Sequence, residues 1–314
     1  MEKDKLACDV ETGVCNIMAS DEHSPQEETN VASIVLEKST KPIQMIYVTD
    51  PLCCYCWQVE PALRKFMTLY APHMDTRIVM GGLLESWDGF ADEGNDIRKP
   101  ADVGAHWQEA AKAHGMPIDG TIWDKELITS SYPASILFKL VQQISDTSSR
   151  RFLRSVREDV MVFNRNISKD DVLENILDLN NRNGRKMVAD MKTEPAKALL
   201  EEDLQLGRQL GATSFPTVIL LKEGSEGLRI PGLQSFETYE QALLTLAEED
   251  LEPTPLPELK DMFKESRNLF FKEIEVMYDL EPEAIEAFVA LNLPDNSYEI
   301  REAHGSRYVI CKNC

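Results

Sequence analysis

The sequence predicts an α/β fold with a large helical insertion and a small helix-plus-hairpin module at its end. Three observations predict it. A strand-forming run, Pro42-Ile-Gln-Met-Ile-Tyr-Val-Thr49, is followed by a helical period and a second run, Thr76-Arg-Ile-Val-Met80, which reads as a βαβ unit and a parallel pair. Strand character returns only at Pro216-Thr-Val-Ile-Leu-Leu221, where the turn 222–227 and Leu228-Arg-Ile230 complete a hairpin. Between these parts, residues 84 to about 211 carry helical periods alone.

In chain order, residues 1–40 are polar and acidic without a sustained period and read as a flexible arm carrying the pair Cys8 and Cys15. Asp50-Pro51 ends the first strand, because proline has no N–H for a ladder and restricts its neighbour. Val59, Leu63, Phe66, Met67 and Tyr70 then recur at helical spacing, with Pro61 expected to kink that helix. Helices are expected near 101–114, 132–145, 149–163, 169–180 and 194–210; Ser131-Tyr132-Pro133 supplies one start, with proline in the first turn. A closing helix is expected at 236–249. The proline-rich 251–257 marks a boundary, so that 41–250 reads as one domain with its insertion at 85–210. Residues 258–314 read as a winged-helix-like module, with helices at 258–278 and 282–291 and a hairpin turning at His304-Gly305.

Composition narrows the function. The chain of 314 residues holds 33 basic and 54 acidic side chains, a net charge of −21 that repels phosphate backbones and argues against nucleic-acid binding. No apolar run reaches the ~18 residues a membrane-spanning helix needs, and the first thirty residues lack a basic start with an apolar stretch, so a cytoplasmic protein is expected. Seven cysteines are too few for a disulfide scaffold in that compartment. The five histidines show no metal-ligand spacing, and no cofactor or metal beyond the cysteines is implied.

The chemistry concentrates in Cys53-Cys54-Tyr55-Cys56, at the junction of a strand and a helix. A thiolate is the nucleophile, and the unpaired N–H groups of a first helical turn favour it. Two cysteines three apart on that turn can close a small disulfide, with Cys53 the exposed attacker and Cys56 the inward resolver. A structural zinc pair is the alternative, but zinc wants a second ligand pair nearby, and Cys311/Cys314 lie at the far end of the chain. The outer pairs Cys8/Cys15 and Cys311/Cys314 are candidates for a relay to the central pair; a mobile tail thiol pair or a weak metal clip is the plainer reading. Trp57, beside the site, is a candidate substrate wall. Cys54 has no assigned task, and neither Cys54 nor Tyr55 puts a cation between the redox cysteines, which leaves the direction of exchange open.

Asp50-Pro-Leu-Cys-Cys-Tyr-Cys-Trp57, Glu60-Pro61, Met80-Gly-Gly-Leu-Leu84, Ser86-Trp-Asp-Gly-Phe90, Ser131-Tyr-Pro-Ala-Ser135 and Gly211-Ala-Thr-Ser-Phe-Pro-Thr217 together resemble the DsbA family of thioredoxin-fold proteins, in its cytosolic FrnE-like branch. The resemblance covers about 41–250. It implies a thioredoxin-like core split by a helical insertion, a cis-proline at Pro216 whose loop faces the CxxC, and a Phe215 backbone that presents an extended substrate. It also implies thiol–disulfide oxidoreductase or isomerase activity on protein or peptide thiols and disulfides. The same branch includes SpxH-like adapters, which bind the regulator Spx and promote its degradation by ClpXP. Leu228-Arg-Ile-Pro-Gly232, Lys272-Glu-Ile-Glu-Val-Met-Tyr-Asp-Leu280 and Glu302-Ala-His-Gly305 are similar to adapter segments. Met80–Leu84 and Ser86–Phe90 resemble the oxidoreductases more, so exchange ranks first and the adapter second. A glutathione-using isomerase on the same fold ranks third, without a pocket signature.

Overall fold

The computed structural model describes residues 39–223, 226–248 and 250–312, and the backbone alone of 3–8, 14–18 and 34–37. Strands β1 (Lys3–Cys8), β2 (Val14–Met18), β3 (Ile34–Glu37) and β4 (Ile43–Thr49) come first. Helices α1 (Cys54–Gln58) and α2 (Glu60–Leu69) lead to β5 (Met74–Met80). Then come α3 (Pro100–His114), α4 (Ile122–Lys125), α5 (Tyr132–Gln142), α6 (Asp146–Met161), α7 (Asp170–Leu179), α8 (Gly184–Asp190) and α9 (Glu194–Gln209). The strands β6 (Thr217–Lys222) and β7 (Glu226–Pro231) precede α10 (Phe236–Ala247). The chain closes with β8 (Asn268–Phe270), α11 (Phe271–Tyr278), α12 (Ile285–Asn292), β9 (Tyr298–Ala303) and β10 (Ser306–Cys311).

Two compact units emerge. The first takes Met1–Thr49, Ala62–Gly81 and Glu202–Leu256. It holds a seven-stranded sheet in the order β3-β1-β2-β7-β6-β4-β5. Only β4 and β5 run parallel, from Ile43 opposite Met74 to Thr49 opposite Met80, as the βαβ reading requires. Every residue of β4 is buried, which is why that strand reads as a near-continuous apolar run rather than an alternating one. Ile46, Val48, Val79, Ile219 and Leu221 of the sheet bury against Leu206 and Leu210.

The start of the chain corrects the flexible-arm expectation. Residues 3–8, 14–18 and 34–37 form strands, and β2 joins the sheet edge along β7, with Val14 opposite Leu228. Their pairing partners lie partly more than 200 positions away, so local polarity gave no sign of it.

The second unit takes Asp50–Pro61, Gly82–Glu201 and Pro257–Cys314. Its helices bury an indole cluster in which Trp123 meets Trp87 and Trp107 edge-on at 5.8 and 5.3 Å. Its end carries a three-stranded antiparallel sheet, β8-β10-β9, over a core of Leu259, Ile274, Met277, Ile285, Val289 and Val309. The single helix expected over 258–278 is instead a 3-10 turn, β8 and α11. The break is held by Glu273, whose carboxylate accepts the Phe270 N–H at 2.9 Å and caps α11. The terminal hairpin turns at His304 and Gly305, both at positive φ (51° and 75°), the backbone of a two-residue type I′ turn.

Candidate active site

The CxxC turn grows from Asp50. This carboxylate accepts the Leu52 N–H at 2.8 Å, the Leu83 N–H at 2.8 Å and the Ser131 hydroxyl at 2.9 Å. Its own carbonyl accepts the Cys53 N–H at 3.3 Å and a nitrogen of Arg157 at 3.4 Å. One buried side chain thus gathers the CxxC turn, the 82–84 segment and the start of α5. Burial raises the Asp50 pKa, against the opposing pull of these donors and of Arg157.

Cys53 is the N-cap of α1, and its Sγ accepts the Cys56 N–H at 3.1 Å. The two redox candidates therefore share one helical turn, and neither they nor Cys54 is in a disulfide. The expected kink takes the form of a break: α1 ends at Gln58 and α2 begins at Glu60, with Pro61 in its first turn, where a missing N–H costs nothing.

Two expectations about exposure are corrected. Cys53 is only 5% exposed and Cys56 0%, so the attacker is not open to solvent. Burial pushes the Cys53 thiol well above its ordinary range, Cys56 and Cys54 add to the rise, and the Cys56 N–H opposes it. Cys54 is pushed up to about 12 by burial, with Cys56 adding. One helical turn of partial dipole does not offset the loss of solvation. Trp57 is no substrate wall either: it is 0% exposed, and its indole N–H donates to the Pro117 carbonyl at 2.9 Å. Its ring meets Phe270 edge-on at 5.6 Å.

The sequence reading missed the groups behind Trp57. Arg154 stacks 4.5 Å from the Trp57 ring and 5.5 Å from Phe270. Its guanidinium reaches Glu60 at 2.6 Å, Glu158 at 2.7 Å and Glu273 at 2.7 Å. Burial alone would lower Arg154, but Glu273, Glu60 and Glu158 raise it above its ordinary value. Glu158 is pushed up to about 7 by burial, against Arg154 and the Asn268 amide. Only the i, i+4 spacing of Arg154 and Glu158 was visible in sequence; Glu60 and Glu273 are distant along the chain.

Phe215 and Pro216 belong to the first unit. Their peptide bond is cis, and Phe215 packs against the sheet core. A Cβ on Gly81 would stand 2.1 Å from the Phe215 ring, so glycine is what lets that ring lie over the end of β5. Cys8 and Cys15 lie directly opposite each other on β1 and β2. Cys311 is disulfide-bonded to a partner outside the residues whose side chains are described, and Cys314 itself lies outside the described residues. Among the described residues no cluster suited to a metal ion occurs, and no helix is long and apolar enough to cross a membrane.

Comparison with known proteins agrees with this architecture. Residues 46–241 match the thioredoxin family. The ClpXP adapter protein SpxH of Halalkalibacterium halodurans is 26% identical over 276 residues, 87% of each chain. The ClpXP adapter protein SpxH of Bacillus subtilis is 27% identical over 250 residues, 78% of this chain and 81% of that one. Among solved structures, the cytosolic disulfide reductase DsbM from Pseudomonas aeruginosa superposes with a TM-score of 0.52 at 20% identity, covering 65% of this chain and 98% of that one. The fold is DsbA-like: a thioredoxin-like sheet with a helical insertion, to which a small second sheet is added at the end.

Proposed function

Since the chain belongs to the thioredoxin family, we propose that it serves as an adapter that binds a client protein of the Spx type and promotes its degradation by ClpXP. One observation carries this reading: the 276 residues aligned with an SpxH adapter exceed what the span 46–241 holds, so the likeness runs beyond the thioredoxin part. The disulfide reductase, by contrast, is matched over two-thirds of this chain. The buried thiols support it as well, since docking needs no open nucleophile. On this reading residues 41–250 are the docking body, 258–314 an appended module, and the cytoplasm the working compartment. The test is reconstituted degradation of an Spx-type client by ClpXP. The chain should accelerate it several-fold, and the double variant Cys53→Ser/Cys56→Ser should do so equally; no acceleration by either protein sinks the adapter.

A second reading, thiol–disulfide exchange on protein or peptide substrates, is favoured by the Cys56 N–H donated to the Cys53 sulfur. Once the turn opens, the Cys53 thiolate attacks a substrate disulfide, forming a mixed disulfide and expelling one substrate thiolate, which takes up a proton. Cys56 then attacks the Cys53 sulfur and releases the second substrate thiol. Two electrons pass from the pair to the substrate, leaving Cys53–Cys56 oxidised. The resemblance gives Phe215 and Pro216 the task of presenting the substrate strand. Insulin reduction lost in Cys53→Ser supports this reading, and equal traces for wild type and variant remove it.

A further inference from the structure

Within the second unit, a cavity of about 730 Å³ opens between α6, α7 and the terminal sheet. That volume falls in the range of specific ligand sites, roughly 300–1,000 Å³. Its charge is the reverse of the chain's. Arg151, Arg165, Arg267 and Arg301 line it, against the two carboxylates Glu158 and Asp159. The chain as a whole has 54 acidic side chains to 33 basic.

Much of this charge is already matched. Asp159 pairs with Arg165 at 2.6 Å, Arg301 pairs with Glu299 at 2.8 Å, and Glu158 is held by Arg154 from outside the cavity. Two guanidiniums are left. Arg151 donates to the Lys264 carbonyl, and Arg267 is exposed and acts on Asp159 only at a distance. Neither has a carboxylate within 4.0 Å among the described residues. The lining also holds the apolar Ile176, Phe263 and Leu179, the last 46% exposed, among the polar Ser155, Asn180, Ser266 and Asn268. A fork of N–H donors matches a carboxylate in a bidentate geometry, and the half-exposed leucine in the same lining offers an apolar contact to a bound segment.

We propose that this cavity is a docking site for an acidic peptide segment of a partner protein, whose carboxylates meet Arg151 and Arg267 while an apolar side chain covers Leu179 and Phe263. The proposal rests on the adapter reading for its partner, and names a contact shared by the helical insertion, through Arg151 and Leu179, and the appended module, through Phe263 and Arg267. A bare small anion would use the arginines and leave the apolar side chains wet.

The test is fluorescence anisotropy on the full chain, without protease, using a labelled hexapeptide Glu-Leu-Glu-Glu-Phe-Glu and versions with every Glu replaced by Gln or by Lys. The acidic peptide should bind saturably, and the Gln and Lys versions at least tenfold more weakly. Arg267→Glu should weaken the acidic peptide at least tenfold with an unchanged unfolding midpoint. Arg151→Gln, tested in parallel, should weaken it several-fold and keeps the test alive should the first variant misfold. Equal binding of the Gln version, or full affinity in both folded variants, overturns the proposal. So does inorganic phosphate that saturates the site at or below the peptide's own concentration range, which would make it a small-anion site. Peptide binding that persists while ClpXP delivery fails removes the adapter reading alone; delivery that persists without peptide binding removes this site alone.

Discussion

Two buried polar regions of the second unit treat charge in opposite ways. At the CxxC turn three thiols and Asp50 lie buried, and burial is the largest influence on Asp50, Cys53 and Cys54, so the neutral forms are favoured. Around Arg154 an equally buried cation is met by three carboxylates and two aromatic faces, and stays charged. The two regions share α1 and its neighbour: Trp57 follows Cys56 and carries Arg154 on its face. The difference teaches that one opposite charge does not outweigh burial here, which raises Glu158 despite Arg154 and Asp50 despite Arg157, whereas three carboxylates together do so at Arg154. The Arg154 cluster ties Asn268, Phe270 and Glu273 of the terminal module to Glu60 and Trp57.

The largest expected effect is at the paired region. Arg154→Ala strips the shared guanidinium from Glu158 and Glu273, leaving Glu60 its second partner Arg157 at 3.2 Å, and should cost about 3–5 kcal/mol of unfolding free energy in urea titration of the full chain. An unchanged midpoint would mean that the cluster holds nothing. The sharing of one guanidinium among three acids has a second consequence, at Glu158. Its folded pKa of about 7 stands above its ordinary 4.5. The proton it holds stabilises the folded state fully below about pH 4.5, and this contribution is lost as pH rises through about 7. Between pH 4.5 and 8 the wild type should therefore lose on the order of 3 kcal/mol more than Glu158→Gln does. Parallel pH curves for the two proteins would show that Glu158 does not titrate there.

At the CxxC turn the effects are smaller. Asp50→Asn keeps one acceptor for three donors and should cost about 1–3 kcal/mol, loosening the CxxC turn and the start of α5 together. Amide exchange should rise at Leu52 and Leu83 in the same variant; protection unchanged at both would break the link drawn between them. Smallest of all, Cys54→Ala removes one of the influences that raise Cys53 and should lower the Cys53 pKa slightly without opening the turn. A large gain in Cys53 alkylation on that change would give Cys54 a task the turn does not otherwise reveal.

What the sequence made legible follows the same physics. The parallel pair of β4 and β5, the β6–β7 hairpin and the CxxC at a strand–helix junction are local patterns, and each is present. The strands at 3–8, 14–18 and 34–37 were not legible, because a polar run such as Lys3-Asp-Lys-Leu-Ala-Cys8 becomes a strand only through partners elsewhere. The three-residue β8 was hidden inside a helical period, since its partner β10 begins almost forty positions later. Trp57 looked like a wall because a tryptophan beside a CxxC gives no hint of Pro117, Phe270 and Arg154, which close over it from three distant segments. The Asp50 site was half legible: its donor Ser131 stood out as a helix start, but its reach to Asp50 spans 81 positions.

The central claim is that burial, the largest influence on Cys53, keeps it a thiol at neutral pH. Iodoacetamide alkylation of Cys53 in the Cys54→Ala/Cys56→Ser background, followed by mass spectrometry from pH 5 to 10, tests it most directly. The account predicts slow labelling whose rate is still climbing above pH 9. A rate already at its plateau by pH 7 would contradict it, and would mark Cys53 as an activated thiolate poised for exchange.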